Sequence, residues 1–140
     1  MGILENVKAM FGKKEAKEEH GAVRLKARFV PLHAFKHRDQ KITLIVSVSN
    51  ETQSERLVSL EVYLPQKALL GFNSTCTHKS AEKKLGVLKP GETKEEQFTI
   101  YSTAQTAVGE YDVHVNANIH YLDYDKIESQ IKKSLKLKVV

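Results

Sequence analysis

Histidines and a single cysteine are the residues of this chain that come closest to a chemical site. His33 and His37 are four residues apart, the spacing that places two imidazoles on one face of a helix. Pro31 and the polar residues around the pair favour a loop instead, and residues 34–36 lack the Glu of the H-E-x-x-H zinc pattern. Cys76 and His78 offer two further ligand types, although a lone cysteine is more often structural. We keep these two pairs as an alternative metal or small-ligand site, and the main prediction is no metal and no cofactor.

Patterns typical of catalysis are missing from the sequence. There is no G-x-S-x-G nucleophile elbow, no G-x-x-x-x-G-K-[ST] phosphate loop and no G-x-G-x-x-G turn. The carboxylate pairs Asp123/Asp125 and Glu95/Glu96 lie in or beside expected turns, where water solvates them. We therefore predict that the protein is not an enzyme.

Alternating apolar residues indicate the elements that must position any site. From Tyr111 to Tyr121 every second residue is apolar, and the residues between them, which include His114 and His120, are polar. Because side chains of a strand point alternately to opposite faces, this pattern predicts a long strand with one buried face. About seven such stretches without a βα repeat predict an all-β fold, an immunoglobulin-like antiparallel β-sandwich.

The remaining predicted strands differ in clarity. Pro90-Gly91 fits the centre of a type II turn between two of them. Residues 66–84 are hard to place and suit either one helical turn or an irregular crossover, so that the next strand is predicted only from Leu85. In the last strand Lys133 interrupts the alternation and predicts a β-bulge. The predicted strands cover residues 23–29, 42–48, 58–64, 85–88, 94–101, 111–121 and 131–139.

Residues 1–20 differ from the rest of the chain, and we predict a short amphipathic helix followed by a charged linker. The helix could pack on the sandwich domain of residues 21–140, attach to a membrane surface, or dock on a partner or a second copy. Its apolar stripe consists of Ile3, Leu4, Val7, Met10 and Phe11.

Size and composition restrict the class of protein. A chain of 140 residues is long enough for one domain with a proper core. Cys76 is the only cysteine, so the chain cannot form an internal disulfide. No export signal and no apolar run of about 20 residues is present, so we expect a cytoplasmic protein, peripheral to the membrane if the helix binds lipid.

The net charge of +5 is concentrated near the end of the chain, where residues 126–140 carry five Lys and one Glu. If the first and last strands lie side by side, their outward residues form a basic stripe that attracts an anionic surface. The alternative is that these cations only prevent aggregation between sheets. We do not expect nucleic-acid binding, because the stripe lacks aromatic residues for base stacking. The stripe consists of Arg24, Lys26, Arg28, Lys132, Lys136 and Lys138.

Two blocks of sequence, residues 85–100 and 109–123, carry a family resemblance. They contain L-K-P-G-E followed by F-T-I, and then G-E-Y-D-V-H-V. These blocks resemble the CARDB-like group of immunoglobulin-type sandwich modules, which are common in archaeal and bacterial proteins. The resemblance implies a sandwich fold and a role in adhesion or protein binding, with Tyr111 as a tyrosine corner, and it carries over no functional residues. The chain is more weakly similar to arrestin-like cytoplasmic sandwiches.

The sequence as a whole predicts a non-enzymatic protein-binding or scaffolding module that binds a protein partner or self-associates. The alternatives are a peripheral membrane protein attached by its N-terminal helix, and a metal- or ligand-binding protein.

Overall fold

The computed structural model describes residues 22–140, which form nine strands and no helix. The amphipathic helix and its apolar stripe lie outside the described residues and stay predictions. Seven strands are long and two have two residues each, which is why the sequence predicted about seven. The strands are β1 (Val23–Val30), β2 (His33–Ala34), β3 (Gln40–Asn50), β4 (Arg56–Tyr63), β5 (Leu70–Gly71), β6 (Ser80–Leu88), β7 (Thr93–Ser102), β8 (Gly109–His120) and β9 (Ile127–Val139).

The strands form the two facing sheets of an immunoglobulin-like β-sandwich. One sheet has five strands in the order β2-β9-β8-β4-β6, and the other has four in the order β1-β3-β7-β5. Every neighbouring pair is antiparallel except β2 and β9, which are parallel. The chain passes from one sheet to the other between β1 and β2, at the cis Val30–Pro31 bond. As a result β1 and β9 lie on the same side of the sandwich, in different sheets.

Alternation of apolar residues builds the core, as the sequence predicts. Val113, Val115 and Ala117 of β8 are fully buried, and so are alternate residues of β3 and β4. Burying one such aliphatic side chain contributes about 1.5–3 kcal/mol, so two complete inner faces are a sufficient reason for the sheets to pack. The largest fully buried side chains include Ile42, Leu44, Leu60, Leu70, Leu88, Ile100 and Leu137.

Two local predictions are confirmed by backbone and side-chain geometry. Gly91 has a φ of 81°, and the Glu92 N–H donates to the Lys89 carbonyl at 2.9 Å, as a type II turn over Pro90-Gly91 requires. The Tyr111 hydroxyl donates to the Ala107 carbonyl at 2.5 Å, which is the hydrogen bond of a tyrosine corner.

Two predictions for residues 66–84 are wrong. The segment forms no helical turn, and the next strand begins earlier than predicted. This segment contains the short strand β5, and β6 begins at Ser80 rather than at Leu85. The first half of β6 lies at a sheet edge, where a lysine can occupy an inward position: the Lys83 amine lies 5.0 Å from the centre of the Phe98 ring. The alternation of apolar residues that would have indicated this strand is therefore absent.

Two predictions about β8 and β9 also need correction. Burial stops alternating after Ala117: Asn118, Ile119 and His120 are all buried, and Tyr121 is 58% exposed. Tyr124, in the loop that follows, packs back against His120, and Asn118 is enclosed by its hydrogen bonds with Glu61 and Gln130. The register of β9 on β8 is unbroken between residues 129 and 139, so Lys133 forms no bulge; the irregularity lies between Ile127 and Ser129.

Candidate functional site

Among the described residues, His33 and His37 are not joined by the further ligands that a metal site needs. His33 is half-buried in β2, and His37 is exposed in the following loop with a φ of 64°. Within residues 22–140 no group of three or more His, Cys, Asp and Glu side chains is placed to hold an ion.

The second candidate pair is separated by burial. Cys76 is buried, and its thiol lies 3.5 Å from the Tyr101 carbonyl, to which it donates. Burial raises the pKa of this thiol, so the metal-binding thiolate is disfavoured. His78 is exposed to solvent. The two side chains are therefore directed into different environments.

A buried polar cluster that the sequence did not indicate lies on the outer face of the five-stranded sheet. Ser59 Oγ and His120 Nε2 are 2.7 Å apart, the distance of a nucleophile and its base. Asn118 extends the cluster by donating to Glu61 Oε1 at 3.0 Å and by accepting from Gln130 Nε2 at 2.8 Å. Ser59 is fully buried, so no substrate carbonyl can reach its oxygen in this conformation. The arrangement joins β4, β8 and β9 and has a structural role.

Tyr124 covers this cluster. Its ring lies edge-on to His120 with 5.0 Å between ring centres, and its hydroxyl accepts a hydrogen bond of 3.0 Å from the Gly86 N–H. Gly86 has a φ of 80° beside the register shift between β4 and β6, and this backbone conformation favours glycine. The loop between β8 and β9 is thus attached to the far strand β6. Sequence spacing gave no signal of this contact, because the two residues are 38 positions apart.

The predicted basic stripe does not exist as one surface. Arg24, Lys26 and Arg28 lie on the outer face of the four-stranded sheet, whereas Lys132, Lys136 and Lys138 lie on the outer face of the five-stranded sheet. The prediction failed because β1 and β9 belong to different sheets and are not hydrogen-bonded neighbours.

Several of these cations also form ion pairs with neighbouring carboxylates. Lys136 Nζ lies 2.7 Å from Asp112 Oδ1, and Lys138 Nζ lies 3.7 Å from Glu110 Oε2. The hydrogen bond from Lys136 lowers the pKa of Asp112, and the same bond raises the pKa of Lys136. Arg24 Nε lies 2.6 Å from Glu51 Oε1 on the other sheet.

What the fold brings together instead is a group of cations at the side of the sandwich where β1 and β9 meet. Lys26 and Arg28 of β1 and Lys133 of β9 line one surface depression of about 610 Å³, whose lining also includes Glu95 and Ser47. Within residues 22–140 the three cations form no ion pair. We call this side, consisting of β1 and residues 130–136 of β9, the open side.

Along most of this side, the backbone of β9 pairs with no strand of residues 22–140. β2 pairs with β9 only at Lys138 and Val139, and no other described strand lies beside it there. The Val140 N–H donates to Ala34 and the Val140 carbonyl accepts from Lys36, so residues of even number direct their peptide groups away from β8. The N–H and C=O groups of Gln130, Lys132, Ser134 and Lys136 therefore point to the free side of β9 and have no partner strand among residues 22–140.

The opposite side, where β6 and β7 meet, is closed by lysine side chains. Lys83 Nζ of β6 donates to the Gln97 carbonyl of β7 at 2.6 Å, and Lys94 Nζ of β7 donates to the Leu85 carbonyl of β6 at 2.7 Å. Each lysine bridges the two sheets. The two sides of the sandwich thus differ. On the β6/β7 side the lysines bond to backbone carbonyls, whereas on the open side Lys26, Arg28 and Lys133 are exposed around the depression.

Comparison with known proteins gives only distant similarities. No protein-family model and no curated protein sequence matches the chain. Among solved structures the chain is similar to AvmM, which catalyses macrocyclization in alchivemycin A biosynthesis (TM-score 0.45, 6% identity, 85% of this chain and 90% of that one). It is also similar to Spo0M, a sporulation control protein of Bacillus subtilis, with a TM-score of 0.45 and 12% identity. The match covers 85% of this chain and 49% of Spo0M.

A third similar structure is the ASH/PapD-like domain 7 of human CEP192, with a TM-score of 0.44, 10% identity and 97% of each chain covered. These similarities carry no argument about function, and the fold assignment depends on the two sheets of this chain. Residues 22–140 contain no helix that is long and apolar enough to cross a membrane.

Proposed function

We propose that the protein is a non-enzymatic, cytoplasmic protein-binding module whose working surface is the open side of the sandwich. The difference between the two sides is the observation that carries this proposal. Both sides are lined by lysines, but those of β6 and β7 bond to backbone carbonyls, whereas Lys26, Arg28 and Lys133 have no acidic partner among the described residues.

A binding role accounts for the exposed groups better than a catalytic one. The closest approach to a nucleophile and base, Ser59 with His120, is buried beneath Tyr124. The open side instead combines peptide groups and cations that have no partner within the described residues, and both kinds of group gain interactions when a binding partner covers them. Membership of the CARDB-like group stays a prediction from the two sequence blocks, and so does attachment to membranes through residues 1–20.

The proposal is tested by capture from a lysate of the native organism with three versions of the full-length protein. The first is unchanged, and the second carries Lys26→Glu, Arg28→Glu and Lys133→Glu on the open side. The third is a matched control with the same change of charge at exposed lysines elsewhere, Lys36→Glu, Lys67→Glu and Lys89→Glu. Bound proteins are quantified by mass spectrometry after mild cross-linking.

We expect a defined set of proteins to be retained by the unchanged protein and by the control, and to be lost from the open-side variant. Equal recovery with all three versions, or recovery of none, would overturn the proposal. Circular dichroism of each variant confirms that the sandwich is folded before the capture is interpreted.

A further inference from the structure

We propose that the open side binds an extended acidic segment of a partner protein, which adds as a strand to the free edge of β9 along residues 130–136. This inference rests on the proposed function and names the chemistry of the partner and the mode of contact.

Backbone geometry provides the main support. Four consecutive even-numbered residues, Gln130, Lys132, Ser134 and Lys136, direct their N–H and C=O groups away from β8 in a regular strand, and no strand within the described part of the chain pairs with them. An extended segment that pairs with this edge satisfies these groups through main-chain hydrogen bonds, which is the mode called β-augmentation. β2 already adds to the same edge at Lys138 and Val139, so the edge accepts a strand where the chain provides one.

The side chains along the edge indicate what the segment must contain. On the inward phase, Lys133 lies between Ile131 and Leu135, which are half-buried at the rim of the core. On the outward phase, Lys132 forms no ion pair within residues 22–140. Lys26 and Arg28 lie beside Lys133, on the inward phase, across the depression. Acidic residues on the outward phase of the segment lie beside Lys132, and β-branched residues on its inward phase can cover Ile131 and Leu135. The charges of Lys26, Arg28 and Lys133 attract the acidic segment as a whole.

The same charges disfavour a second copy of the chain as the occupant. If two β9 edges pair antiparallel about Lys133, the middle of residues 130–136, Lys133 of one copy faces Lys133 of the other, and the flanking Lys132 of each copy lies opposite Ser134. Like charges directly opposite each other across a strand pair are destabilising, and inward-pointing lysines are a known protection of sheet edges. An acidic segment turns the same lysines from a repulsive element into an attractive one.

The test measures binding of a fluorescein-labelled peptide, acetyl-Glu-Val-Glu-Thr-Glu-Val-Glu-amide, to the full-length protein by fluorescence anisotropy. One protein variant is Ser134→Pro, which removes an N–H that faces the free edge and leaves the hydrogen bonds to β8 in place. Ser134→Ala is its matched control, because it removes the same hydroxyl and keeps the N–H. A peptide with Lys at every Glu position and a peptide N-methylated at alternate residues complete the set.

We expect saturable binding of the acidic peptide that weakens about tenfold or more in Ser134→Pro, the equivalent of about 1.4 kcal/mol, and that is unchanged in Ser134→Ala. The lysine peptide and the N-methylated peptide should not bind, and added salt should weaken binding of the acidic peptide. A folded Ser134→Pro protein that binds as well as the unchanged one would overturn the inference.

Two other outcomes would also overturn it. One is no binding of the acidic peptide at all, which would leave the edge lysines as protection against aggregation only. The other is concentration-dependent dimerisation that Ser134→Pro abolishes, which would make a second copy the occupant. If capture from lysate depends on Lys26, Arg28 and Lys133 while the peptide results are negative, the proposed function stands and only strand addition fails.

Discussion

At the scale of single residues, two asparagines in the same sequence pattern differ in their role because they differ in burial. Asn50 and Asn73 both begin an N-x-[ST] glycosylation pattern. Asn50 is fully buried, and its amide donates to the carbonyls of Ser54 and Leu88 at 2.9 and 2.8 Å. Its side-chain oxygen accepts from the Thr52 N–H. Because its amide nitrogen is enclosed by these contacts, Asn50 of the folded protein is not available for glycan attachment.

We predict that Asn50→Ala lowers the free energy of unfolding by about 2–4 kcal/mol, because it removes the side-chain partners of the Leu88 carbonyl and the Thr52 N–H, at about 1–3 kcal/mol for each fully buried group, whereas the Ser54 carbonyl keeps the Thr52 hydroxyl. Asn73→Ala is the matched control. Its amide makes a similar number of hydrogen bonds, but in an exposed loop, so we expect a loss of less than about 1 kcal/mol. Urea unfolding measures both, and equal losses would contradict the argument.

The Asp112–Lys136 contact makes a second prediction at the residue scale. Its hydrogen bond holds the pKa of Asp112 below the ordinary value, so the contact stabilises the fold above the unfolded pKa of this carboxyl. That contribution is lost as the pH falls through the lowered pKa. We predict that Lys136→Gln raises the pKa of Asp112 towards its ordinary value, and that Lys132→Gln does not. Carbon-detected NMR titration of the carboxyl group measures the pKa, and an unchanged value in Lys136→Gln would refute this.

At the scale of elements, the loop between β8 and β9 acts as part of the sheet surface. It crosses β4, the strand between β8 and β6, to bring Tyr124 to Gly86 of β6, and it covers the hydrogen-bonded Ser59 and His120. The burial of His120, which reverses the predicted pattern, follows from this fold-back, and Tyr121, which lies just after the end of β8, is exposed.

We predict that Tyr124→Phe destabilises the protein by about 1 kcal/mol, because the half-buried Gly86 N–H loses its acceptor. The backbone amide of Gly86 should also exchange its hydrogen faster. Tyr121→Phe, at an exposed tyrosine of the same loop, is the control and should change neither quantity. Hydrogen exchange followed by NMR reports on the Gly86 amide directly, and unaltered protection in Tyr124→Phe would show that the contact is not formed in solution.

At the scale of the whole molecule, the sandwich protects its two sides by different means. Lys83 and Lys94 bridge the sheets on one side. On the other, the inward-pointing Lys133 lies at an edge that no described strand covers, a position where a charge opposes pairing with another copy. The charge that prevents self-association is thus the same charge that we propose for partner binding.

We predict that Lys133→Val increases self-association, because it converts the inward phase of the edge into an apolar row between Ile131 and Leu135. Adding Ser134→Pro to Lys133→Val should reverse the effect by blocking strand pairing. Lys67→Val, which exposes a valine in a loop away from the edge, is the control. Size-exclusion chromatography with light scattering over a range of concentrations measures the change, and identical elution of Lys133→Val and the unchanged protein would disprove the prediction.

The sequence by itself determined the class of fold and most of the strands, because period-two burial and turn chemistry are local. The alternation of Val113, Val115 and Ala117, the Pro90-Gly91 turn and the tyrosine corner at Tyr111 were all correctly predicted. Only the tertiary structure decided which cations share a surface, which polar groups are buried and which edge is free. Those properties depend on sheet assignment and on contacts between residues far apart in the chain, and no local pattern records them. Lys26 and Lys133 meet because β1 and β9 lie on one side of two different sheets.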